Sequence, residues 1–211
     1  MRTWELLIRG LRFYWLQNLA VVAGVATAVA VLAGALLVGA SVQTSLRRLA
    51  MERLGRTVWV VRAANLFRDE LAASMEPSAP MLMLEGLARH QGNGRRANQV
   101  PVYGIDERFW QFHERGAVAL GGRDAAISQP LASELGAKAG DTLLIRIDKP
   151  AAIPAESLFG RKEDGAQAVR VRVKHILEAS QLGEFSLKPQ QGEVKAIFLP
   201  LERLRQETGA S

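Results

Sequence analysis

From Asn18 to Ser41 the chain reads NLAVVAGVATAVAVLAGALLVGAS without a charged residue, and the nearest charges on either side are Arg12 and Arg47. No other feature constrains the fold as strongly. Leu19–Ala40 is 22 residues, about 33 Å of helix at ~1.5 Å per residue, against a bilayer core ~30 Å thick. Ten of these residues are Leu or Val, and together they supply roughly −3 to −6 kcal/mol of insertion free energy with no charge to offset it. A soluble helix of this length would carry polar residues along one face. Val38-Gly39-Ala40 before Ser41 has the form of a cleavage site. A signal core is ~7–15 residues, however, and the segment before this run is too long and too aromatic for a signal peptide. The expectation is a retained membrane span over 18–41.

The residues before the span, MRTWELLIRGLRFYW, place Trp4, Leu7, Ile8, Leu11 and Trp15 at helical spacing, with Arg2, Glu5, Arg9 and Arg12 on the opposite face. That pattern predicts an amphipathic helix over 1–17 lying in the lipid interface. Trp4 and Trp15 would sit at headgroup depth, with Arg9 and Arg12 on the polar side. Gln17-Asn18 offers a turn and an N-cap for the span. Within the span, Ala20, Gly24, Thr27, Ala30 and Gly34 form one stripe, and Val22, Val25, Val29, Leu32 and Leu36 form the other side. Small residues let a second helix approach closely, and inside lipid such packing is what joins helices. The stripe therefore predicts a helix-packing face, for which a lone anchor has no use.

Beyond the span, VQTSLRRLAMERLG keeps helical spacing through Leu46, Leu49, Ala50 and Leu54, with Gly55 as the stop. Residues 42–211 then mix strands and short helices, enough chain for one core. TVWVVRA reads as a strand, NLFRDELAAS as a short helix capped by Asn65, and MLMLEGLAR and NQVPVYGID as strands around the loop HQGNGRR. Ser128, Pro130 and Gly136 bracket a helix, and Gly140-Asp141 turns into a strand over Thr142–Asp148. In VRVRVKHIL, alternation points Val169, Val171, Val173, His175 and Leu177 one way and Arg170, Arg172 and Lys174 the other. KPAAIPAESLFGRKEDG reads as an exposed loop, and EVKAIFLPLERLRQETG as a strand and a Pro-started helix stopped by Gly209. The fold class is thus α+β: an interfacial helix, one transmembrane helix and a mixed α/β extracytoplasmic domain.

Little in this chain carries chemistry. There is no Cys, so neither disulfides nor thiols enter. His90, His113 and His175 have no metal-ligand spacing, and His175, on an apolar strand face, reads as a core residue. No Walker A loop and no G-x-S-x-G elbow occurs. Asp106-Glu107 reads as a solvated turn rather than a carboxylate pair, and Arg95-Arg96 as an exposed loop. No catalytic, metal-binding or cofactor-binding residue is expected, and no cofactor. The net charge of +6 is spread along the chain among acidic residues. That suits a solvated surface facing anionic membrane lipid, whereas nucleic-acid binding would want a concentrated basic stripe.

The order of elements resembles the start of an FtsX-like ABC-transporter permease followed by a MacB-like periplasmic core domain. The residues that carry the resemblance are Ser45-Leu46-Arg47-Arg48-Leu49, Glu52–Gly55 (ERLG), Leu131–Asp141 (LASELGAKAGD) and Ala196–Leu204 (AIFLPLERL). It implies a four-span permease with its large domain between the first two spans, paired with a second permease subunit and served by a separate cytoplasmic ATPase. ATP turnover would then drive export or extraction of a substrate through the periplasmic domain. It also implies that the core domain over 42–211 is incomplete at its C-terminus, and that later spans pack against the small-residue stripe. The alternative is a single-span, membrane-anchored extracytoplasmic binding module. The implied location is the bacterial inner membrane with the N-terminus in the cytoplasm. Charge counting leans the other way, since Arg2, Arg9 and Arg12 precede the span while Arg47, Arg48, Arg53 and Arg56 follow it.

Overall fold

The computed structural model describes residues 3–62, 70–147, 167–188, 190 and 192–209. The chain divides into two compact units, Met1–Ala50 and Met51–Ser211.

The first unit is helical. Helix α1 (Thr3–Phe13) is followed by a bend at Tyr14 and then by the long helix α2 (Trp15–Leu54), 40 residues or about 60 Å. The break falls at Tyr14 rather than at the expected Gln17-Asn18 turn. The Asn18 amide already donates to the Tyr14 carbonyl at 2.9 Å, so the helix is formed there and has no need of a side-chain cap. The apolar stretch of α2 is long and hydrophobic enough to cross a membrane, and no residue of α2 is buried. Such exposure of Leu and Val side chains in a stable helix calls for an apolar surround.

The second unit is built on a closed six-stranded barrel in the order β1-β2-β6-β3-β5-β4. The strands are β1 (Leu82–His90), β2 (Arg96–Ile105), β3 (Asp124–Ser128), β4 (Thr142–Ile147), β5 (Gln167–Leu177) and β6 (Ile197–Pro200). β2 with β6 and β3 with β5 are parallel; the other four pairings are antiparallel. Closure leaves no unpaired sheet edge, which removes the usual site of edge-to-edge association. Short helices α3 (Glu70–Ala73), α4 (Glu107–Phe112), α5 (Gln129–Leu135) and α6 (Leu201–Thr208) punctuate the strands.

Strand alternation feeds two cores. Val102, Ile127, Ile197 and Leu199 join Leu143, Ile145, Val169, Val171 and Val173 in one cluster, closed by Leu131, Leu135 and Leu204 of α5 and α6. The intervening residues Tyr103, Ala126 and Phe198 face the other way, into an aromatic cluster with Phe109, Trp110 and Phe185. Strands β6 and β3 and the second half of β2 are therefore buried on both faces. Strands β1, β4 and β5 alternate buried and exposed positions and present one face to solvent.

The expected helix after β3 is present with its expected punctuation. The buried Ser128 hydroxyl accepts the Leu131 amide at 3.4 Å and the Ala196 amide at 3.0 Å. Gly136 closes α5 in the left-handed region at φ 61, where a side chain would cost about 1–2 kcal/mol. Two further expectations are corrected. Thr57–Arg62 form no strand, and Val58 and Trp59 are 80% and 89% exposed. β-branched propensity reflects packing on a pleated surface, and none is supplied there among the described residues. His175 points outward, not into the core. Ala125 pairs with Val173 but Ala126 pairs with His175, so the register shift uses Lys174 as an extra residue and flips the alternation beyond it. Asn65, the expected helix cap, and the loop 149–165 lie outside the described residues.

Candidate functional site

The expected interfacial and packing residues all fall on the first unit. Trp4 and Trp15 are 70% and 57% exposed, and Arg9 and Arg12 are also exposed. Ala20, Gly24, Thr27, Ala30 and Gly34 lie on α2, and a Cβ added at Gly24 or Gly34 would meet nothing within 4 Å. The Thr27 hydroxyl donates to the Ala23 carbonyl at 2.8 Å, which hides its polarity within the helix. The stripe is exposed, as is the rest of α2 along the apolar stretch.

A cluster of polar contacts in the second unit gathers where the last turn of α2 ends. Gly55, at φ +58, turns the chain out of the helix, and its amide bonds the Glu52 carbonyl at 3.3 Å. A Cβ there would sit 2.6 Å from His113 Nδ1 and 3.2 Å from Leu182 Cδ2, so only glycine satisfies both the backbone and the space. The carbonyl of Arg53, an orphan of the helix end, accepts the Ser186 amide at 3.3 Å. The Arg53 guanidinium, 14% exposed, donates to the Gln190 carbonyl at 2.8 Å, to the Gly192 carbonyl, and to Glu184 Oε2 at 3.2 Å. One side chain thereby clamps the strap that leads into β6. Arg56 pairs with Glu114, and its amide donates to His113 Nδ1 at 3.2 Å.

His113 is 5% exposed and packed edge-on against Phe109, Phe112 and Phe185, with ring centroids 4.7, 5.0 and 5.4 Å away. Burial, helped by the positive charges of Arg115 and Arg56, lowers its pKa from 6.5 to about 4. The hydrogen bond agrees, because Nδ1 must carry a lone pair to accept the Arg56 amide. The ring is neutral at pH 7, with its proton on Nε2. Tyr103 packs on Phe185, as His113 does, and burial raises its phenol to about 12, so it too stays uncharged. The pattern "ERLG" signalled the helix stop; nothing local in the sequence signalled that His113, far along the chain, would meet it.

Among the described residues, His90 and Asp106 are committed to structural hydrogen bonds. His90 Nδ1 accepts the amides of Gly92 and Asn93 at 3.0 and 3.1 Å, and Nε2 faces Asp141 Oδ2 at 3.1 Å. Both ring nitrogens are spent on fastening the β1–β2 turn to the start of β4, which leaves no free base. Asp106 accepts the Arg108 amide at 2.9 Å as the N-cap of α4, so the Asp106-Glu107 pair is a capped turn. Among the described residues, no three His, Asp or Glu side chains are grouped to hold a metal ion.

No family model matches the chain, and no curated protein matches it in sequence. Among solved structures, it is similar to the extracellular domain of the noncanonic ABC-type transporter YknZ from Gram-positive bacteria, at 14% identity and a TM-score of 0.39, over 63% of this chain and 58% of that one. It is also similar to the periplasmic region of MacB from Actinobacillus actinomycetemcomitans, at 11% identity and a TM-score of 0.38, over 63% of this chain and 51% of that one. This chain thus spans little more than half the length of either.

Proposed function

We propose that this chain belongs to the permease subunit of an ABC transporter, working with a second permease subunit and a separate cytoplasmic ATPase. In this reading Leu19–Ala40 crosses the inner membrane, α1 lies in the lipid interface, and the barrel unit is extracytoplasmic. ATP turnover in the cytoplasm would be coupled through the span to export or extraction of a substrate at the barrel unit.

The observation that carries the reading is the junction at Arg53, Gly55 and His113. Within the second unit, the last turn of α2 is bonded to the residues around it, and the sequence of α2 runs on from the apolar stretch with no Gly/Ser/Pro linker. A tethered binding module is served by a flexible linker; a coupled one needs its helix end fixed. The open small-residue stripe adds support, since a lone anchor has no use for it.

The test is reconstitution of the natural polypeptide in proteoliposomes with the ATPase that co-purifies with it. A six-residue Gly-Ser insertion between Leu54 and Gly55 should leave basal ATP turnover intact and remove its coupling to transport. Coupling that survives the insertion would refute the reading. If no ATPase co-purifies at all, the anchored binding module takes its place.

A further inference from the structure

We propose that the outer face of β1, β4 and β5 docks an acidic protein segment, whose carboxylates are taken by Arg89, Arg96, Arg146, Arg170 and Arg172. These residues come from four separate stretches of sequence, and only the strand register gathers them. Arg96 on β2 lies directly opposite Arg89 on β1, which lies opposite Leu144 on β4, which lies opposite Arg170 on β5. At ~4.8 Å between strands, that row is about 15 Å wide. Arg146 lies two residues from Leu144 along β4 on one side of the row, and Arg172 two residues from Arg170 along β5 on the other. All five side chains are exposed.

The face does not neutralise itself. Its edge carboxylate Asp124 is engaged by Lys174 at 3.0 Å and by Arg172 at 3.4 Å, and Glu85 on β1 is paired with Lys188. Arg89, Arg96, Arg146 and Arg170 have no ion-pair partner among the described residues. Like charges directly opposite across a strand pair, as Arg89 and Arg96 are, weaken a sheet. The arrangement therefore works against the isolated fold, and an external anion relieves it.

Composition selects the kind of anion. Five of the six cations on the face are Arg, the residue enriched at protein interfaces where Lys is depleted, and its planar fork grips carboxylates two-handedly. The residues between them are Leu87, Leu144, Thr142 and Ala168, and the three strands contain no Phe, Tyr or Trp. A lipid-docking surface would be expected to carry such aromatic anchors among its cations. An extended acidic segment also matches the geometry, because its alternate side chains repeat at ~6.8 Å, the same interval as Arg170 and Arg172 along β5.

The experiment uses the full chain in nanodiscs of neutral phosphatidylcholine and a fluorescein-labelled peptide of ten Glu-Ala repeats. Binding is followed by anisotropy at 150 mM salt, where exposed long-range attraction is largely screened. Saturable binding is expected, weakened at least tenfold in Arg89→Gln/Arg146→Gln/Arg170→Gln. It should change less than twofold in Arg62→Gln/Arg115→Gln/Lys195→Gln, which removes the same charge elsewhere. Circular dichroism of both triple variants checks that the substitutions leave the fold intact. Absence of saturable binding, or equal weakening by the two triples, overturns the proposal. A parallel arm presents vesicles of phosphatidylglycerol; vesicle capture that depends on Arg89, Arg146 and Arg170 as strongly as the peptide does assigns the face to lipid and also overturns it. None of these outcomes bears on the ATPase test above.

Discussion

Acidification should loosen the His113 junction before it harms the rest of the barrel unit. The native ring is neutral and its pKa is lowered to about 4 by burial and by Arg115 and Arg56, whereas the unfolded value is 6.5. Above pH 6.5 neither state binds the proton, and the native contact contributes fully. Between pH 6.5 and 4 the unfolded chain takes up a proton that the folded chain refuses, so stability falls as the pH falls. At ~1.36 kcal/mol per pH unit the loss approaches about 3 kcal/mol, a sizeable share of the ~5–15 kcal/mol typical of a domain. Two lowered carboxylates act in a different window. Asp124 is held down by its hydrogen bond to Lys174, and Asp141 by the Lys138 amide and His90. Their contribution is present above the ordinary carboxylate value of 3.8 and is lost only as the pH drops below it. The assay is urea unfolding at pH 7.5, 6, 5 and 4.5, together with hydrogen exchange of the Arg56 amide, for the wild type and His113→Gln. Gln keeps an acceptor but cannot titrate. The wild type should lose about 2–3 kcal/mol more than the variant over this range, and the Arg56 amide should lose protection in parallel. Superimposable pH profiles for the two proteins would refute the reasoning.

Three further perturbations follow from the same geometry. Gly55→Val places a β-branched residue at φ +58 against His113 and should cost at least about 2 kcal/mol, read as a lowered thermal midpoint; an unchanged midpoint would mean the helix end is not fixed as described. Ser128→Ala leaves the amides of Leu131 and Ala196 unpaired in a fully buried site and should cost about 1–3 kcal/mol in urea unfolding, whereas the exposed Ser133→Ala should change stability by less than about 0.5 kcal/mol. Gly24→Leu and Gly34→Leu should impair assembly of the natural membrane complex while Val25→Leu should not, measured by co-purification of differently tagged subunits; equal tolerance of all three would remove the packing role of the stripe.

Much of the fold could be read from local patterns, because those patterns are set by local physics. The charge-free run, the Gly55 stop, the Ser128 cap with Pro130 and Gly136, and the Pro-started final helix are each decided by residues within their own segment. What escaped was decided at longer range. His175 turns outward because one extra residue, Lys174, enters the β3–β5 register, and no local count of alternation contains that shift. Thr57–Arg62 has strand composition without a strand partner among the described residues. Barrel closure, the second aromatic core and the Arg grid all depend on which strands become neighbours. Arg95-Arg96 looked like a plain loop because the strand placing Arg96 beside Arg89 comes earlier in the chain. The candidate site divided in the same way: its stop residue was visible, while His113 and Glu184, brought to it from distant segments, were not.

Because the sequence contains no Cys, the proposed crossing of the membrane by the apolar stretch of α2, with the barrel unit outside, can be tested directly. Single cysteines are introduced at Thr3 and, in a second variant, at the exposed Glu202 of α6. Intact cells, their outer membrane permeabilised where there is one, are treated with a maleimide that cannot cross the inner membrane. Labelling of Glu202→Cys without lysis, and of Thr3→Cys only after lysis, is the predicted result. The reverse pattern, or labelling of both before lysis, would contradict the account.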